Sequence, residues 1–148
     1  MTTPDPAAGV DWTAISVGSE LPELTLEITA TRIVAGAIAT RDFMPVHHDR
    51  AYANRQGAPD IFMNIMSDNA YCSRYLTDWA GPETMIKRLS VRLGVPAFPG
   101  STLTFTGRVT ARSSVGIEGL VDVEIRATND LGDHLTGSAT LSLPLTGR

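Results

Sequence analysis

Residues 60–82 read DIFMNIMSDNAYCSRYLTDWAGP, and this stretch decides the fold. Apolar residues recur there at spacings that return to one face of an α-helix, namely Ile61, Ile65, Cys72, Leu76 and Trp79. Asp60 is placed to cap the free amides of the first turn, and Gly81 followed by Pro82 is typical of a helix end. The sequence therefore predicts one long, largely covered helix from about residue 61 to residue 80.

Four segments after the helix have the character of β-strands, at about residues 84–95, 101–112, 117–128 and 133–143. Apolar and polar residues alternate within them, and residues that favour turns separate them, such as Pro99-Gly100 between the first two. These features predict an antiparallel meander in which each strand pairs with the next.

Less regular sequence precedes the helix. Residues 24–40 contain short alternations that predict one or two strands, and residues 41–59 predict a loop with a short helical turn at about 49–56. Residues 1–20, rich in Pro, Ala, Gly and Ser, predict a loose arm. The order of elements indicates a single α+β domain over residues 21–148, in which a curved sheet wraps the helix.

Composition excludes several functions. The chain has 148 residues, a net charge of -4, no cluster of Lys or Arg and a single cysteine, Cys72. These features disfavour a nucleic-acid surface, an internal disulfide and a zinc site. With no apolar run near the length of a membrane span and no secretory signal at the N-terminus, the sequence predicts a cytoplasmic protein that does not enter a membrane.

Asp42 and His47 are the side chains best suited to catalysis, and they flank Pro45 in the loop. A carboxylate and an imidazole can converge on one small molecule if the core holds such a loop in place. Addition of water needs a base that takes a proton from water and an acid that gives one to carbon. Spacing alone also fits a solvated loop with one hydrogen-bonded histidine.

The stretch Asp42-Phe43-Met44-Pro45-Val46-His47, followed by Ala53, resembles the hydratase motif of MaoC-like enoyl-CoA hydratases, in which Asp-x-Asn-Pro-aliphatic-His is followed by Ala or Ser. Met44 departs from the usual Asn, which would hold the loop by hydrogen bonds, and Arg41 departs from the usual Gly. The resemblance implies a hot dog fold, acid/base roles for Asp42 and His47, and no cofactor or metal.

Two further stretches extend the resemblance over residues 20–145. Val95 to Leu103 is similar to the family's Pro-Val-Phe-Pro-Gly-Asp-Thr-Leu turn. Ile61-Phe62-Met63-Asn64 stands where the family has Ile-Val-His-Gly, whose backbone amide binds the thioester oxygen. The backbone amide of Asn64 is therefore the candidate oxyanion donor, and an Asn in place of Gly implies a pocket for an unusual acyl group. A plain polar residue in a first helical turn is an equal alternative.

Within this family, the chain resembles most closely the small subunits of actinobacterial steroid side-chain enoyl-CoA hydratases, for example at residues 39–43, 46–50 and 75–82. This resemblance implies a steroid enoyl-CoA with a shortened side chain as substrate. It also implies a second, different MaoC-like subunit in a heterodimer or heterotetramer, and an aldolase acting downstream.

Alternatives stay open at this point. The chain could be a (3R)-hydroxyacyl-ACP dehydratase subunit of fatty-acid elongation, or a non-catalytic hot dog subunit that completes a partner's site. A thioesterase is less favoured, because it would need a carboxylate on the central helix to activate water, and Asp68 is the sole buried-looking candidate there. His48 and Asp49 are not expected to bind a metal. We expect Cys72 in the core and His134 at the surface or in a turn.

Overall fold

The computed structural model describes residues 9–145. Its longer elements, in chain order, are β1 (Glu20–Glu27), α1 (Ala30–Ala39), α2 (Arg50–Arg55), α3 (Ile65–Ala80), β2 (Met85–Leu93), β3 (Thr102–Val115), β4 (Glu118–Asn129) and β5 (Gly132–Pro144). Short 3-10 turns lie at Trp12–Ala14 and Pro45–His47. The predicted helix, its four following strands and the helical turn near residues 49–56 are confirmed, with shifts at their ends.

The five strands form one antiparallel sheet in the order β1-β3-β4-β5-β2. Strands β3, β4 and β5 form the predicted meander. The predicted pairing of β2 with β3 is wrong, because β2 lies at the far edge beside β5, with Leu89 opposite Ala139. After β2 the chain stays bonded to β5, since Gly94 N donates to His134 O at 2.7 Å and Val95 N donates to Asp133 O at 2.9 Å.

Helix α3 lies against the inner face of this sheet. Cys72 and Leu76 are fully buried, as predicted, and the ring of Tyr75 lies 5.8 Å from that of Phe105 on β3. The predicted helix start is wrong, because α3 begins at Ile65 and its cap is Asn64. Asp60 instead pairs with Arg50, at 2.9 Å.

The buried face of α3 begins with two polar residues, Ser67 and Asp68, whereas Ile65 and Met66 are about half exposed. This reverses the expectation for the first turn of the helix. Two polar side chains can be buried there because each has a partner: Ser67 bonds to Asn64, and Asp68 bonds to His134.

The prediction of a strand over residues 33–37 is wrong, since those residues belong to α1. Thr29 caps this helix by accepting a hydrogen bond from Arg32 N at 3.1 Å, and Ile33 and Ala37, one turn apart, are its buried residues. The spacing of these two residues fits one face of a helix better than alternation along a strand.

Residues 9–19 pack against the domain, in contrast to the expected loose arm. Ile15 is 2% exposed, and the Arg112 guanidinium lies 3.8 Å from the centroid of the Trp12 ring. Gly18 N donates to Val109 O at 2.8 Å, so the segment continues along β3. The part of the predicted arm before residue 9 lies outside the described residues.

His134 is a core residue, so its predicted surface position is wrong. It is 2% exposed, and its Nε2 lies 2.8 Å from Oδ1 of the fully buried Asp68. Its Nδ1 lies 2.6 Å from Val95 O. Because a carbonyl oxygen only accepts hydrogen bonds, Nδ1 carries a proton. Asp68 is thus bound within the core and cannot reach a substrate as a thioesterase carboxylate would.

One antiparallel sheet folded over one long helix is the hot dog architecture that the resemblance implied. The N-terminal end of α3 points toward the loop that carries Asp42 and His47. Within residues 9–145, no helix has the length and apolar composition needed to cross a membrane.

Candidate active site

The end of α1 fixes the backbone of Asp42. Arg41 N donates to Ile38 O at 3.0 Å and Asp42 N donates to Ala37 O at 2.9 Å, the paired bonds of a Schellman motif. Arg41 occupies the left-handed position of this motif, with φ of 57°. That position favours glycine, which explains the Gly that the resembling family has where this chain has Arg41.

The 3-10 turn Pro45–His47 presents His47 from the other side of the loop. Its Nδ1 lies 2.7 Å from Phe62 O, so this nitrogen is the donor and Nε2 faces the site. The Phe62 ring also packs edge-on against the imidazole, with centroids 5.2 Å apart. His47 is thereby held by the segment that leads into α3.

The structure brings Asp42 and His47 together. Asp42 Oδ2 lies 3.3 Å from His47 Nε2, and the two side chains are 29% and 9% exposed, respectively. Asp42 Oδ1 accepts from Met44 N at 3.3 Å, and Oδ2 accepts from Asn64 Nδ2 at 3.0 Å. The reactive atoms therefore face one partly open space.

These contacts favour the ionised carboxylate. The hydrogen bond from Asn64 is the largest cause that holds the pKa of Asp42 below its usual value of 3.8. Burial opposes it, and the Met44 amide and the charge of His47 add smaller effects in the same direction as Asn64. Asp42 is thus an acceptor of protons near neutral pH.

Asn64 lies at the N-terminus of α3 and is 2% exposed. The sequence predicts this backbone amide in the first turn of the helix, whereas in the structure it lies just before the helix. Within residues 9–145 the amide donates to no protein acceptor. A buried, unpaired amide at the positive end of a helix suits a developing negative charge on oxygen.

His48 and Asp49 are exposed, whereas His47 is buried. The carboxylate of Asp49 caps α2 by accepting from Tyr52 N at 2.9 Å. Among the described residues, no group of three or more His, Cys, Asp or Glu side chains could hold a metal ion.

Sequence reasoning missed the side chains that support the site, Thr40 and Ser67. Both bond to the side chain of Asn64. One signal could have found them: Asn directly before an apolar helical pattern is itself a strong cap, which would have moved the helix start to Ile65.

Comparisons with known proteins show which proteins this chain is similar to. No protein-family model matches the chain. The 3-oxo-4,17-pregnadiene-20-carboxyl-CoA hydratase beta subunit of Mycobacterium tuberculosis is 50% identical over 127 residues, which cover 86% of this chain and 95% of that protein.

Solved structures show the same similarity. A chain of the ChsH1-ChsH2 complex from Mycobacterium tuberculosis is 49% identical, with a TM-score of 0.81, and the match covers 86% of this chain and 98% of that one. The (R)-hydratase from A. caviae involved in PHA biosynthesis shares the fold, with a TM-score of 0.79 at 24% identity, covering 88% of this chain and 98% of that one. On its motifs, its fold and these similarities, the chain belongs to the MaoC-like hydratase family.

Proposed function

We propose that this chain is the catalytic subunit of an enoyl-CoA hydratase that acts on a steroid enoyl-CoA with a shortened side chain. The observation that carries the proposal is the approach of Asp42 Oδ2 to His47 Nε2, at 3.3 Å, beside the N-terminus of α3. The name of the M. tuberculosis relative, a hydratase of a pregnadiene carboxyl-CoA, supports the steroid class of substrate.

Asp42 is the base and His47 the acid in this proposal. Nδ1 of His47 is engaged with Phe62 O, so Nε2 is the ring nitrogen that faces Asp42, and the proposal places the transferred proton on this Nε2. Water attacks the β-carbon of the enoyl thioester while its proton passes to the Asp42 carboxylate. The α-carbon then takes the proton of His47 Nε2, and transfer of the proton from Asp42 to His47 restores the pair.

The electrons of the double bond move onto the thioester oxygen as the new C–O bond forms. The backbone amide of Asn64 is the proposed donor to that oxygen, because it is buried, unpaired within residues 9–145 and at the positive end of α3. This arrangement stabilises the enolate before its α-carbon is protonated.

The other functions fit these contacts less well. A non-catalytic subunit would have no need for an acid and a base held at 3.3 Å by separate elements. The dehydratase of fatty-acid elongation uses the same chemistry in reverse, and a preference for an acyl carrier protein over CoA would reveal it.

The test is hydration of a steroid enoyl-CoA by the purified complex of this chain with its partner. We expect Asp42→Asn and His47→Gln each to lower kcat by about 10²-fold to 10⁴-fold, as loss of a general acid or base does. Loss of absorbance of the conjugated thioester measures the rate.

His48→Gln is the matched control, because His48 is the adjacent histidine and is exposed. It should keep a rate close to that of the unsubstituted chain. Activity within about threefold of that rate in folded Asp42→Asn or His47→Gln protein would remove the assignment, and an equal loss in His48→Gln would mean that the wrong histidine was chosen.

The partner in this proposal is a second, different MaoC-like chain, forming a heterodimer or heterotetramer. Its support is the similarity to a chain of the ChsH1-ChsH2 complex and the exposed apolar residues beside the site. A steroid thioester hydrated in this way gains a hydroxyl group on its β-carbon, which retro-aldol cleavage requires, so an aldolase is the proposed next enzyme. The buried, unpaired thiol of Cys72 is compatible with the proposed cytoplasmic location.

A further inference from the structure

We infer that the side chain of Asn64 is a positioning residue for the proposed hydration, which holds the Asp42 carboxylate in place and keeps it in the form that accepts a proton. This inference rests on the proposed function. It concerns the side chain, whereas the oxyanion role concerns only the backbone amide of the same residue.

The side-chain amide of Asn64 uses all its hydrogen-bonding capacity. Its Nδ2 donates to Thr40 Oγ1 at 2.9 Å and to Asp42 Oδ2 at 3.0 Å. Its Oδ1 accepts from Ser67 N at 3.1 Å and from Ser67 Oγ at 2.5 Å. One buried side chain therefore forms hydrogen bonds with the end of α1, with the loop from Asp42 to His47 (the catalytic loop of this proposal) and with the start of α3.

The neighbours of Asn64 are themselves fixed. The Thr40 hydroxyl donates to Gly36 O at 2.8 Å, so its lone pairs face Nδ2. A Cβ atom at Gly36 would collide with the Ser67 hydroxyl, so α1 and α3 approach closely only because residue 36 is glycine. The Nδ2 group of Asn64 is consequently held in one orientation, in which it donates to both Thr40 and Asp42.

No other part of the catalytic loop supplies this tether. Between Asp42 and His47, the Met44 side chain is 45% exposed and has no hydrogen-bond donor. The backbone amide of Met44 reaches only the other carboxylate oxygen, at the longer distance of 3.3 Å. Oδ2, the oxygen that faces His47, thus depends on Asn64.

The charges that face Asp42 are few. Within residues 9–145, His47 is the ionisable side chain in contact with its carboxylate, at 3.3 Å. The end of α1 contributes the Ala37 carbonyl, which accepts a hydrogen bond from the Asp42 backbone amide, and the N-terminus of α3 contributes the Asn64 side chain. A change at Asn64 therefore acts on the carboxylate without passing through another titrating group.

Two substitutions separate the donor role from the capping role. Asn64→Ser and Asn64→Asp each keep an oxygen that can cap Ser67 N, so helix α3 retains its start. Neither donates two hydrogen bonds, and Asn64→Asp places a second carboxylate against the first. We expect the pKa of Asp42 to rise in both variants, and to rise further in Asn64→Asp, because there a like charge replaces a donor.

The pH dependence of kcat in the complex with the partner subunit measures this effect. The acidic limb should move to higher pH in both variants, and further in Asn64→Asp than in Asn64→Ser. Relative to the unsubstituted complex, kcat should be about 10-fold to 100-fold lower and KM should stay within about threefold. Carbon-13 NMR titration of the Asp42 carboxyl group gives a second readout that does not require turnover.

Asn69→Asp is the matched control, since it introduces the same charge one turn further along α3, where Asn69 Nδ2 donates to Ile65 O at 2.9 Å. It should leave the acidic limb in place. An active complex whose limb does not move in Asn64→Asp overturns the inference, as does an Asp42 pKa at or above 3.8 in the unsubstituted chain. Absence of hydration by the unsubstituted complex would instead overturn the proposed function, and the NMR titration would still decide the role of Asn64.

Discussion

Arg41 shows how one residue can set the position of the side chain that we propose as the general base, Asp42. Among the described residues, it is the only non-glycine residue with positive φ, at 57°. A side chain in this conformation costs about 1–2 kcal/mol relative to glycine, because Cβ approaches the following carbonyl oxygen. The Schellman motif that demands this conformation is the same feature that anchors the amide of Asp42.

We expect Arg41→Gly to raise the free energy of unfolding by up to about 1 kcal/mol. Relief of the left-handed strain exceeds the extra entropy that glycine gives the unfolded chain, about 0.4–1 kcal/mol. Urea unfolding at fixed protein concentration measures the difference.

Arg41→Ala is the companion variant, because it removes the same guanidinium group but keeps Cβ. It should show no comparable gain in stability. If Arg41→Gly proved no more stable than Arg41→Ala, strain at this position would not be the reason for the expected gain.

The motif resemblance was enough to single out Asp42, His47 and Asn64 as candidates, and the structure places the three side by side. The role of the Asn64 side chain could not be predicted. Its four hydrogen bonds join residues that are far apart in sequence, and their geometry exists only once α1 and α3 have packed. Local pattern carries no information on such contacts.

At the scale of elements, Asp68 and His134 join the first turns of α3 to β5. Burial opposes charge on His134, yet the hydrogen bond and charge of Asp68, together with the Val95 carbonyl, outweigh it and raise the pKa of His134 above its usual 6.5. Because the pKa of His134 is raised in the folded state, the stabilisation that the His134–Asp68 pair gives the folded protein is complete below pH 6.5. It is lost as pH rises through the folded-state pKa.

We therefore expect His134→Gln to destabilise the protein most at pH 6 and less at pH 9. Removal of one partner from a buried ion pair costs about 3–5 kcal/mol, and this cost applies in full only where His134 is charged. The difference in free energy of unfolding between the two proteins, measured at both pH values, should narrow as pH rises.

Lys87→Gln serves as the control for an exposed pair, since Lys87 and Glu118 lie 3.1 Å apart with side chains 42% and 47% exposed. It should change stability by less than about 1 kcal/mol. The charged state of His134 would be contradicted if the difference in free energy of unfolding between His134→Gln and the unsubstituted chain were the same at pH 6 and pH 9.

The elements themselves were predictable where pattern and period agree, as in α3 and the four strands that follow it. Helix α1 is hard to tell from a strand because Ile33, Ala35 and Ala37 satisfy an alternating pattern as well as a helical one. The Thr29 cap is the feature that favours the helix most clearly. The order of strands was not predictable from adjacent turns. It depends on hydrogen bonds from Gly94 and Val95 to β5.

At the scale of the whole molecule, exposed apolar side chains lie around the loop that carries Asp42 and His47. Phe43 and Met44 follow Asp42, Ile65 and Met66 follow Asn64, and these four side chains are between 45% and 65% exposed. Apolar side chains grouped at one site favour contact with a partner or a lipid-like substrate over contact with water.

We expect this chain alone to lack full activity on a steroid enoyl-CoA and to gain it on co-expression with a second MaoC-like chain. Light scattering of the purified species gives the mass of the assembly, and the hydration assay gives its activity. Full activity from a homodimer of this chain would exclude an obligatory partner.

Met66→Lys should weaken that assembly, because a charge would replace a half-exposed apolar side chain next to the site. Ile117→Lys is its counterpart in the turn between β3 and β4, where Ile117 is 86% exposed. It should assemble normally. Equal mass loss in both variants would argue against the face around the catalytic loop as the interface.

The pairing of β2 with β5 also constrains how the chain folds. When a ribosome makes this protein, β2 appears early, but within residues 9–145 its only neighbour in the sheet is β5, the last of the described strands to emerge. Strands β3 and β4 can already form a hairpin, whereas β2 must wait with its backbone groups unpaired. The β2 edge of the sheet therefore closes last, and a stop codon shortly before residue 132 would leave β2 without its partner strand and Asp68 of α3 without His134.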